Sequence, residues 1–116
     1  MPRNPIPTRG DVWLVSLDPT IGDEVQKTRP AVVVTSNIYN RHNWVVVIMP
    51  LTSHDTAEYD QVMIEPPEGG VTSTSVTLPD QIRSVDRRRL IKRLGCVCQD
   101  SLHRIDRSLK IVLDLL

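Results

Sequence analysis

The sequence predicts a mainly β protein with helices (α+β), built on a small antiparallel barrel that is closed or half closed. Short runs of β-branched residues follow one another between turn residues, and one amphipathic helical pattern lies near the C-terminus. The chain has 116 residues, the size of a single domain. We expect one domain over residues 9–116, preceded by a flexible, Pro-rich tail at residues 1–8.

Six segments are predicted to be strands because they are rich in β-branched residues and are bounded by Pro, Gly, Asp or Asn. Two segments, at 32–34 and 45–48, are apolar on both faces, so we expect a helix, the other sheet or a second subunit on each side. The six predicted strands are residues 11–17, 31–35, 44–49, 61–64, 75–78 and 90–98.

The C-terminal segment is predicted to be an amphipathic helix that begins near Asp100 and Ser101, which are favourable N-cap residue types. Its polar face includes Arg104, Arg107 and Lys110. We expect the apolar face to dock on the barrel, with helix pairing between subunits as the alternative. Three- and four-residue spacings separate its apolar positions Leu102, Ile105, Leu109, Val112, Leu113 and Leu116.

The charges balance overall, with 14 Lys and Arg against 14 Asp and Glu, but they are segregated along the chain. This balance excludes a polycation that coats nucleic acid without specificity, and the ordinary composition excludes a disordered or fibrous chain. Residues 42–82 hold six acidic residues and no Lys or Arg, whereas residues 83–93 hold six basic residues and one acidic residue. The basic run is either a solvated face or a contact for a polyanion.

No membrane segment, metal site or cofactor is predicted. The apolar runs are far shorter than the roughly 18 residues of a membrane span, and a secretory signal is absent, so we expect a cytoplasmic protein. Cys96 and Cys98 share one face of a strand if the strand continues to residue 98, and we interpret them as buried or reduced thiols. His42, His54 and Asp55 are the only group of residues of metal-binding type, and this group is too sparse to predict a metal site.

Arg29 is the first candidate for a functional side chain, because it ends a long polar loop and precedes Pro30. Proline keeps the residue before it extended, which projects a permanently charged guanidinium fork suited to phosphate. An ordinary salt bridge is the alternative. Thr52 and Ser53 follow the third strand, where hydroxyls bind a substrate or satisfy the backbone. Glu24 lies in the same loop as Arg29.

The order and spacing of several motifs resemble the MazF/PemK family of toxin endoribonucleases, also called the ChpA or Kid type. The resemblance covers nearly the whole chain, from about residue 9 to residue 116. Many family members have Asp-Ser where this chain has Thr74-Ser75, which bears on base recognition more than on cleavage. The motifs are RGDVW at 9–13, LDPT at 17–20, Gly22, Glu24, RPAVV at 29–33, PLTS at 50–53 and DQIRSVD at 80–86.

The resemblance implies an SH3-like barrel of the CcdB/MazF type with a C-terminal helix, assembled as a homodimer. It implies the toxin of a type II toxin–antitoxin system, which cleaves single-stranded RNA at short sequence motifs without a metal ion. The ribose 2′-hydroxyl attacks the adjacent phosphate and leaves a 2′,3′-cyclic phosphate and a 5′-hydroxyl. The implied partner is an antitoxin whose acidic, disordered C-terminal segment covers the RNA channel.

The family's catalytic Arg and Thr match Arg29 and Thr52, and a loop Glu of some members matches Glu24. Arg29 can stabilise charge on the phosphoryl oxygens, Thr52 can hydrogen-bond the reacting groups, and Glu24 is our hypothetical base. His54 is an alternative acid–base residue without a family counterpart. Further RNA contacts are expected from Lys27, Thr28, Ser53, Gln81, Arg83 and Arg87.

Two other functions compete with RNA cleavage. A CcdB-like poison of DNA gyrase acts through its C-terminal helix, but this helix ends in Leu113, Leu115 and Leu116 without a Trp. Arg29 and Thr52 have no required role in that function. The other alternative is a catalytically inactive barrel that only binds RNA or an antitoxin.

Overall fold

The computed structural model describes residues 6–17 and 28–115. In this part of the chain, seven short strands and one short helix are followed by a long helix. The strands are β1 (Asp11–Ser16), β2 (Thr28–Val33), β3 (Val45–Ser53), β4 (Met63–Ile64), β5 (Ser75–Thr77), β6 (Arg83–Asp86) and β7 (Leu90–Cys96), and the helices are α1 (Asn37–His42) and α2 (Gln99–Leu113).

The strands form one antiparallel sheet that curls into a half-barrel around β3. β2, β1 and β7 follow on one side of β3 in that order, and β6 pairs with its first half. Ala31 pairs with Pro50, and Val33 pairs with Ile48. From Leu51 onward β3 pairs instead with β5, which pairs with β4. β3 therefore belongs to two parts of the sheet that diverge after Pro50. The predicted half-closed barrel is confirmed.

Two aliphatic clusters cover the two faces of this sheet. Val32 and Met49 belong to the cluster under α2, whereas Ala31, Val33 and Ile48 belong to the cluster enclosed by β1, β2, β3 and β6. The segment at 32–34 is covered on both faces by this chain, as predicted. At 45–48 only the face of Val46 and Ile48 is buried, whereas Val45 is exposed and Val47 is half-buried.

Buried Asp11 fixes the start of the barrel. Its carboxylate accepts hydrogen bonds from the Thr8 backbone at 2.8 Å and from the Trp13 indole at 3.3 Å, and it pairs with Arg93 at 3.1 Å. Pro7 is also buried. Two residues of the predicted tail, Pro7 and Thr8, therefore pack with the barrel.

α2 docks on the barrel through Leu102 and Ile105, which are buried in the first cluster. Arg9 ties the N-terminal segment to this helix through an ion pair with Asp106. The predicted N-cap at Asp100 and Ser101 is wrong, because the helix begins at Gln99 with Cys98 as its N-cap. The half-buried Glu68 carboxylate accepts a hydrogen bond from the Cys98 backbone N–H, and this contact serves the helix end in place of a cap side chain.

Several predicted element boundaries differ from the structure. β2 begins at Thr28 because it extends through Arg29-Pro30 to pair with β1, and β3 continues to Ser53 because it gains β5 as a partner. β6 and α1 were not predicted. Only Val85 of β6 is fully buried, so its sequence lacks an apolar alternation. α1 has only six residues, too few for a helical period, although Ser36 caps it.

Cys96 and Cys98 are free thiols, which agrees with the reduced alternative of the prediction, but they are exposed, so the buried alternative is wrong. The strand ends at Cys96, and Cys98 already caps the helix, so the two residues do not share one strand. Among the described residues, no helix has the length and apolar character needed to cross a membrane.

Candidate functional site

Arg29 and Thr52 lie at one end of the barrel, on neighbouring strands. Arg29 is two residues before Ala31 on β2, and Thr52 is two residues after Pro50 on β3, and Ala31 and Pro50 are paired. Because side chains alternate between the two faces of a strand, Arg29 and Thr52 share the face of Ala31 and Pro50. The structure therefore brings the two predicted catalytic residues to matching positions where β2 and β3 begin to separate.

Both side chains are half-buried, and both polar groups are available to a ligand. Arg29 pairs through its backbone with Val15 of β1, which belongs to the second aliphatic cluster. Thr52 pairs through its backbone with Val76 of β5. Within residues 6–17 and 28–115, the Arg29 guanidinium and the Thr52 hydroxyl have no hydrogen-bonding or ionic partner. Partner-free polar groups on rigid strands are suited to bind a substrate.

Gln81 and Arg83 lie on the other side of Pro50. The Pro50 carbonyl accepts a hydrogen bond from Leu78 at 2.9 Å, which holds the 3₁₀ turn Pro79–Gln81 against β3. Arg83 lies on β6, and its backbone pairs with Ile48 of β3. Its side chain is on the same face as that of buried Val85. Both side chains are exposed. We call the surface formed by Arg29, Thr52, Gln81 and Arg83 the Pro50 face.

The remaining predicted site residues lie elsewhere. Thr28 and Ser53 are next to Arg29 and Thr52 in sequence, so they point to the opposite face of the sheet. The Ser53 hydroxyl lies 2.9 Å from the Ser73 hydroxyl. Glu24 and Lys27 lie outside the described residues.

Arg87 is buried at the start of the 3₁₀ turn that follows β6. Its guanidinium stacks on the Trp44 ring, 5.1 Å from the ring centroid, and its backbone N–H donates to the Trp44 carbonyl at 2.7 Å. Trp44 precedes β3, so about eight residues of strand, roughly 26 Å, separate it from Thr52. This contact favours a structural role for Arg87. Its predicted RNA contact stays a prediction.

The basic run at residues 83–93 does not form one continuous cationic surface. Arg93 pairs with Asp11, and the Arg89 guanidinium donates to the Ser16 carbonyl at 3.4 Å. Arg88 pairs with Asp86 at 3.0 Å; its hydrogen bonds lower the pKa of that carboxyl and raise its own pKa. Arg83 is the member of the run that joins the Pro50 face.

His54 turns toward its own loop. Its Nδ1 lies 2.9 Å from the Thr56 carbonyl oxygen, and its ring is exposed. The same atom lies 3.9 Å from Asp55. In the described part of the chain, no three His, Cys, Asp or Glu side chains are grouped to hold a metal ion.

The sequence did not predict a cavity at the same end of the barrel, which is lined by apolar side chains and several hydroxyl groups. Its lining includes Ser53 of β3, Ser75, which pairs with Ser53 from β5, and Ser73, whose hydroxyl lies 2.9 Å from that of Ser53. The sequence signal for it is the hydroxyl-rich string TSTS at residues 72–75, which includes the Thr74-Ser75 pair of the family resemblance.

The fold and the Pro50 face define a class of small half-barrel proteins with a cationic, hydroxyl-bearing strand end. A solved endoribonuclease from a mycobacterial species, in complex with its cognate antitoxin, has the same fold with a TM-score of 0.75 and 25% identity. The similarity covers 96% of this chain and 96% of that chain.

The sequence comparisons identify the family within this class. The model of the PemK-like, MazF-like toxins of type II toxin–antitoxin systems matches residues 8–113, and the chain belongs to this family. Endoribonuclease MazF9 of Mycobacterium tuberculosis is 34% identical, over 92% of this chain and 96% of its own length. Endoribonuclease PemK of Escherichia coli is 36% identical, over 90% of this chain and 80% of its own length.

Proposed function

We propose that this protein is the toxin of a type II toxin–antitoxin system and cleaves single-stranded RNA at specific sequences without a metal ion. The endoribonuclease activity follows from the family and from the two curated relatives. The single observation that carries the mechanism is that the Arg29 guanidinium and the Thr52 hydroxyl lie at matching positions of β2 and β3. Neither group has a polar partner among the described residues.

Attack by a ribose 2′-oxygen on the adjacent phosphate needs three contributions. A base must accept the 2′-proton, donors must stabilise charge on the phosphoryl oxygens, and the leaving 5′-oxygen must gain a proton, which solvent water supplies. The Arg29 fork supplies the charge stabilisation, and the Thr52 hydroxyl hydrogen-bonds a phosphoryl oxygen or the 2′-hydroxyl. The products are a 2′,3′-cyclic phosphate and a 5′-hydroxyl.

Glu24 is the proposed base, in the loop that leads to Arg29. RNA binding is proposed to extend from the reacting phosphate across the Pro50 face to Gln81 and Arg83, whose exposed side chains flank Pro50. Lys27 and Thr28 precede Arg29 and are proposed to contact the same strand of RNA. Arg87 is proposed only as an indirect contributor, because it is buried against Trp44.

An antitoxin is the proposed protein partner. The family is defined by toxin–antitoxin systems, and the similar mycobacterial structure contains a cognate antitoxin. We propose that an acidic segment of the antitoxin occupies the Pro50 face, because Arg29 and Arg83 attract an anionic peptide as they attract RNA. Co-expression of the antitoxin should restore the growth of cells that produce this protein, and the two proteins should co-purify.

A homodimer and a cytoplasmic location are also proposed. Exposed apolar side chains near the start of β3 and the end of α2 support self-association. A dimeric mass at micromolar concentration is expected. The free thiols of Cys96 and Cys98 suit a reducing compartment. The exposed apolar side chains are Trp44, Val45, Ile111, Leu113 and Leu115.

One assay separates the proposed function from its alternatives. Purified protein is incubated with a labelled RNA and, in parallel, with DNA gyrase and supercoiled DNA. Specific RNA cuts with cyclic phosphate ends support the proposal. Gyrase inhibition without RNA cuts supports a CcdB-like poison, and neither activity supports a barrel that only binds RNA or antitoxin.

A further inference from the structure

A cleft of about 390 Å³ lies near the start of β3, at the opposite end of that strand from Thr52. It is lined by Trp44, Asp86 and Arg88, and we call it the Trp44 cleft. Trp44 is 59% exposed, whereas Trp13, the other tryptophan of the chain, is buried. The cleft therefore contains an open aromatic ring beside an ion pair, and its three lining residues have no role in the proposed cleavage site.

The Trp44 ring is supported on one side by Arg87. The buried Arg87 guanidinium lies 5.1 Å from the ring centroid, and the Arg87 backbone N–H donates to the Trp44 carbonyl at 2.7 Å. A cation over one face of an aromatic ring leaves the other face for a second flat group. Because the ring is held in place before a ligand arrives, binding needs little further ordering of this side chain.

Arg88 supplies a second flat surface in the cleft. Its Nε donates to Asp86 Oδ1 at 3.0 Å and its Nη2 donates to Asp86 Oδ2 at 3.1 Å, so two contacts with one carboxylate fix the guanidinium. The Arg88 side chain is nevertheless 81% exposed. Because both contacts use N–H groups in the plane of the guanidinium, its faces stay open to a stacked ligand.

The charge around the cleft favours an anionic chain that carries flat groups. Residues 86–89 are one aspartate and three arginines, and the aspartate is paired with Arg88. Proteins that bind single-stranded nucleic acid combine cationic side chains with aromatic rings in this way. A second copy of this chain is the alternative occupant, since Trp44 and Val45 are both exposed. Such a contact would have to take the Asp86–Arg88 pair out of water, which opposes it.

We infer that the Trp44 cleft binds one unpaired nucleobase of the RNA substrate, stacked between the Trp44 indole and the Arg88 guanidinium, far from the cleaved bond. The inference rests on the proposed function. Bases splayed out of single-stranded RNA stack on aromatic rings and guanidinium planes. Along β3 the cleft is roughly 26 Å from Thr52, or about eight nucleotides of stacked strand at about 3.4 Å each. The cleft therefore adds affinity for a long RNA and leaves the chemical step unchanged.

Tryptophan fluorescence measures the stacking directly. The titrant is an RNA of about twenty nucleotides, long enough to reach the cleft, in which 2′-O-methyl groups prevent cleavage. It should quench the emission of the wild type and leave the emission of buried Trp13 in Trp44→Leu unchanged. The affinity, measured by anisotropy of labelled RNA, should weaken about tenfold in Trp44→Leu, the effect of one stacked base, and little in Trp44→Tyr, which keeps a ring. Tyr59→Leu removes another exposed aromatic ring and is the matched control.

Cleavage kinetics separate the cleft from the reaction. For an RNA that extends about ten nucleotides on each side of a mapped cut, Trp44→Leu should raise KM about tenfold at an unchanged kcat. With about two nucleotides on each side, which do not reach the cleft, the variant should match the wild type. Wild-type affinity of Trp44→Leu for the long RNA, or a dimer that becomes monomeric in this variant, would overturn the inference. Quenching without cleavage of any RNA would instead reject only the proposed reaction.

Discussion

Arg29 and Thr52 occupy matching positions on two antiparallel strands, each two residues beyond the paired residues Ala31 and Pro50. Neither side chain has a polar partner among the described residues. By contrast, Arg93 pairs with Asp11, and the Ser53 hydroxyl contacts the Ser73 hydroxyl. The strands keep both groups on one face, which reduces the ordering needed when a phosphate binds.

Replacement of Arg29 by Ala should lower kcat on the order of a hundredfold, the scale of losing a donor to transition-state charge. Arg29→Lys should restore little activity, because an ammonium lacks the bidentate fork. The thermal midpoint should change little, since the guanidinium is half-buried and lacks a protein partner in the described residues. Single-turnover cleavage of a labelled RNA measures the effect, with exposed Arg107→Ala as the control. Full activity in Arg29→Ala would remove this residue from the mechanism.

Thr52→Ala should lower kcat at least about tenfold, because one hydrogen bond to the reacting groups is lost. Thr52→Ser keeps the hydroxyl and should retain most of the activity. Both variants should fold, since the backbone of Thr52 continues to pair with Val76. The same cleavage assay applies. Equal rates for the Ala and Ser variants would show that the hydroxyl has no role.

Substitution of Arg83 should change RNA binding, whereas substitution of Arg87 should change the stability of the fold. Arg83→Ala should weaken RNA binding and reduce the slope of log affinity against log salt by about 0.7, as expected for one phosphate contact on a single strand. Arg87→Ala should instead lower stability by about 1–2 kcal/mol, because the contact of its buried guanidinium with the Trp44 ring is lost. Salt-dependent RNA binding and thermal unfolding of both variants provide the comparison. An unchanged salt slope in Arg83→Ala would place RNA elsewhere.

Glu68 should make folding stability depend on acidic pH. Partial burial raises the pKa of its carboxyl, but hydrogen bonds from Cys98 and Ser101, with the nearby Arg104 charge, outweigh burial and bring it below the ordinary 4.5. A lowered folded-state pKa means that the stabilisation is present above about pH 4.5 and is lost as pH falls through the lowered value.

Glu68→Gln should therefore lower the thermal midpoint by a few degrees at pH 7, because Glu68 accepts the Cys98 N–H at 2.9 Å and holds the start of α2. The difference from the wild type should narrow as the pH is lowered toward 3. Thermal unfolding between these pH values measures it, with Glu58→Gln as the matched control. A difference that stays constant with pH would contradict this role.

The sequence predicts the parts of this protein that depend on local pattern. Runs of β-branched residues predict β1 and the apolar centre of β3, and three- and four-residue apolar spacings predict α2. The Arg29-Pro30 pair predicts an extended Arg29. The family motifs indicate Arg29 and Thr52 as partners. The late end of β3 depends on β5, which is more than 20 residues further along the chain, so no local pattern predicts it. The separation of Arg87 from Arg83 likewise depends on a tertiary contact with Trp44.

The end groups of the cleaved RNA show whether the ribose 2′-hydroxyl is the attacking group and whether a metal ion is needed. Wild-type protein is incubated with a labelled RNA in EDTA, and the products are analysed by mass spectrometry beside an RNA with a 2′-deoxy nucleotide at the cleaved position. The account predicts a 2′,3′-cyclic phosphate and a 5′-hydroxyl from the unmodified RNA and no cleavage of the 2′-deoxy RNA. A 5′-phosphate product, cleavage of the 2′-deoxy RNA, or activity that EDTA abolishes and a divalent ion restores would contradict it.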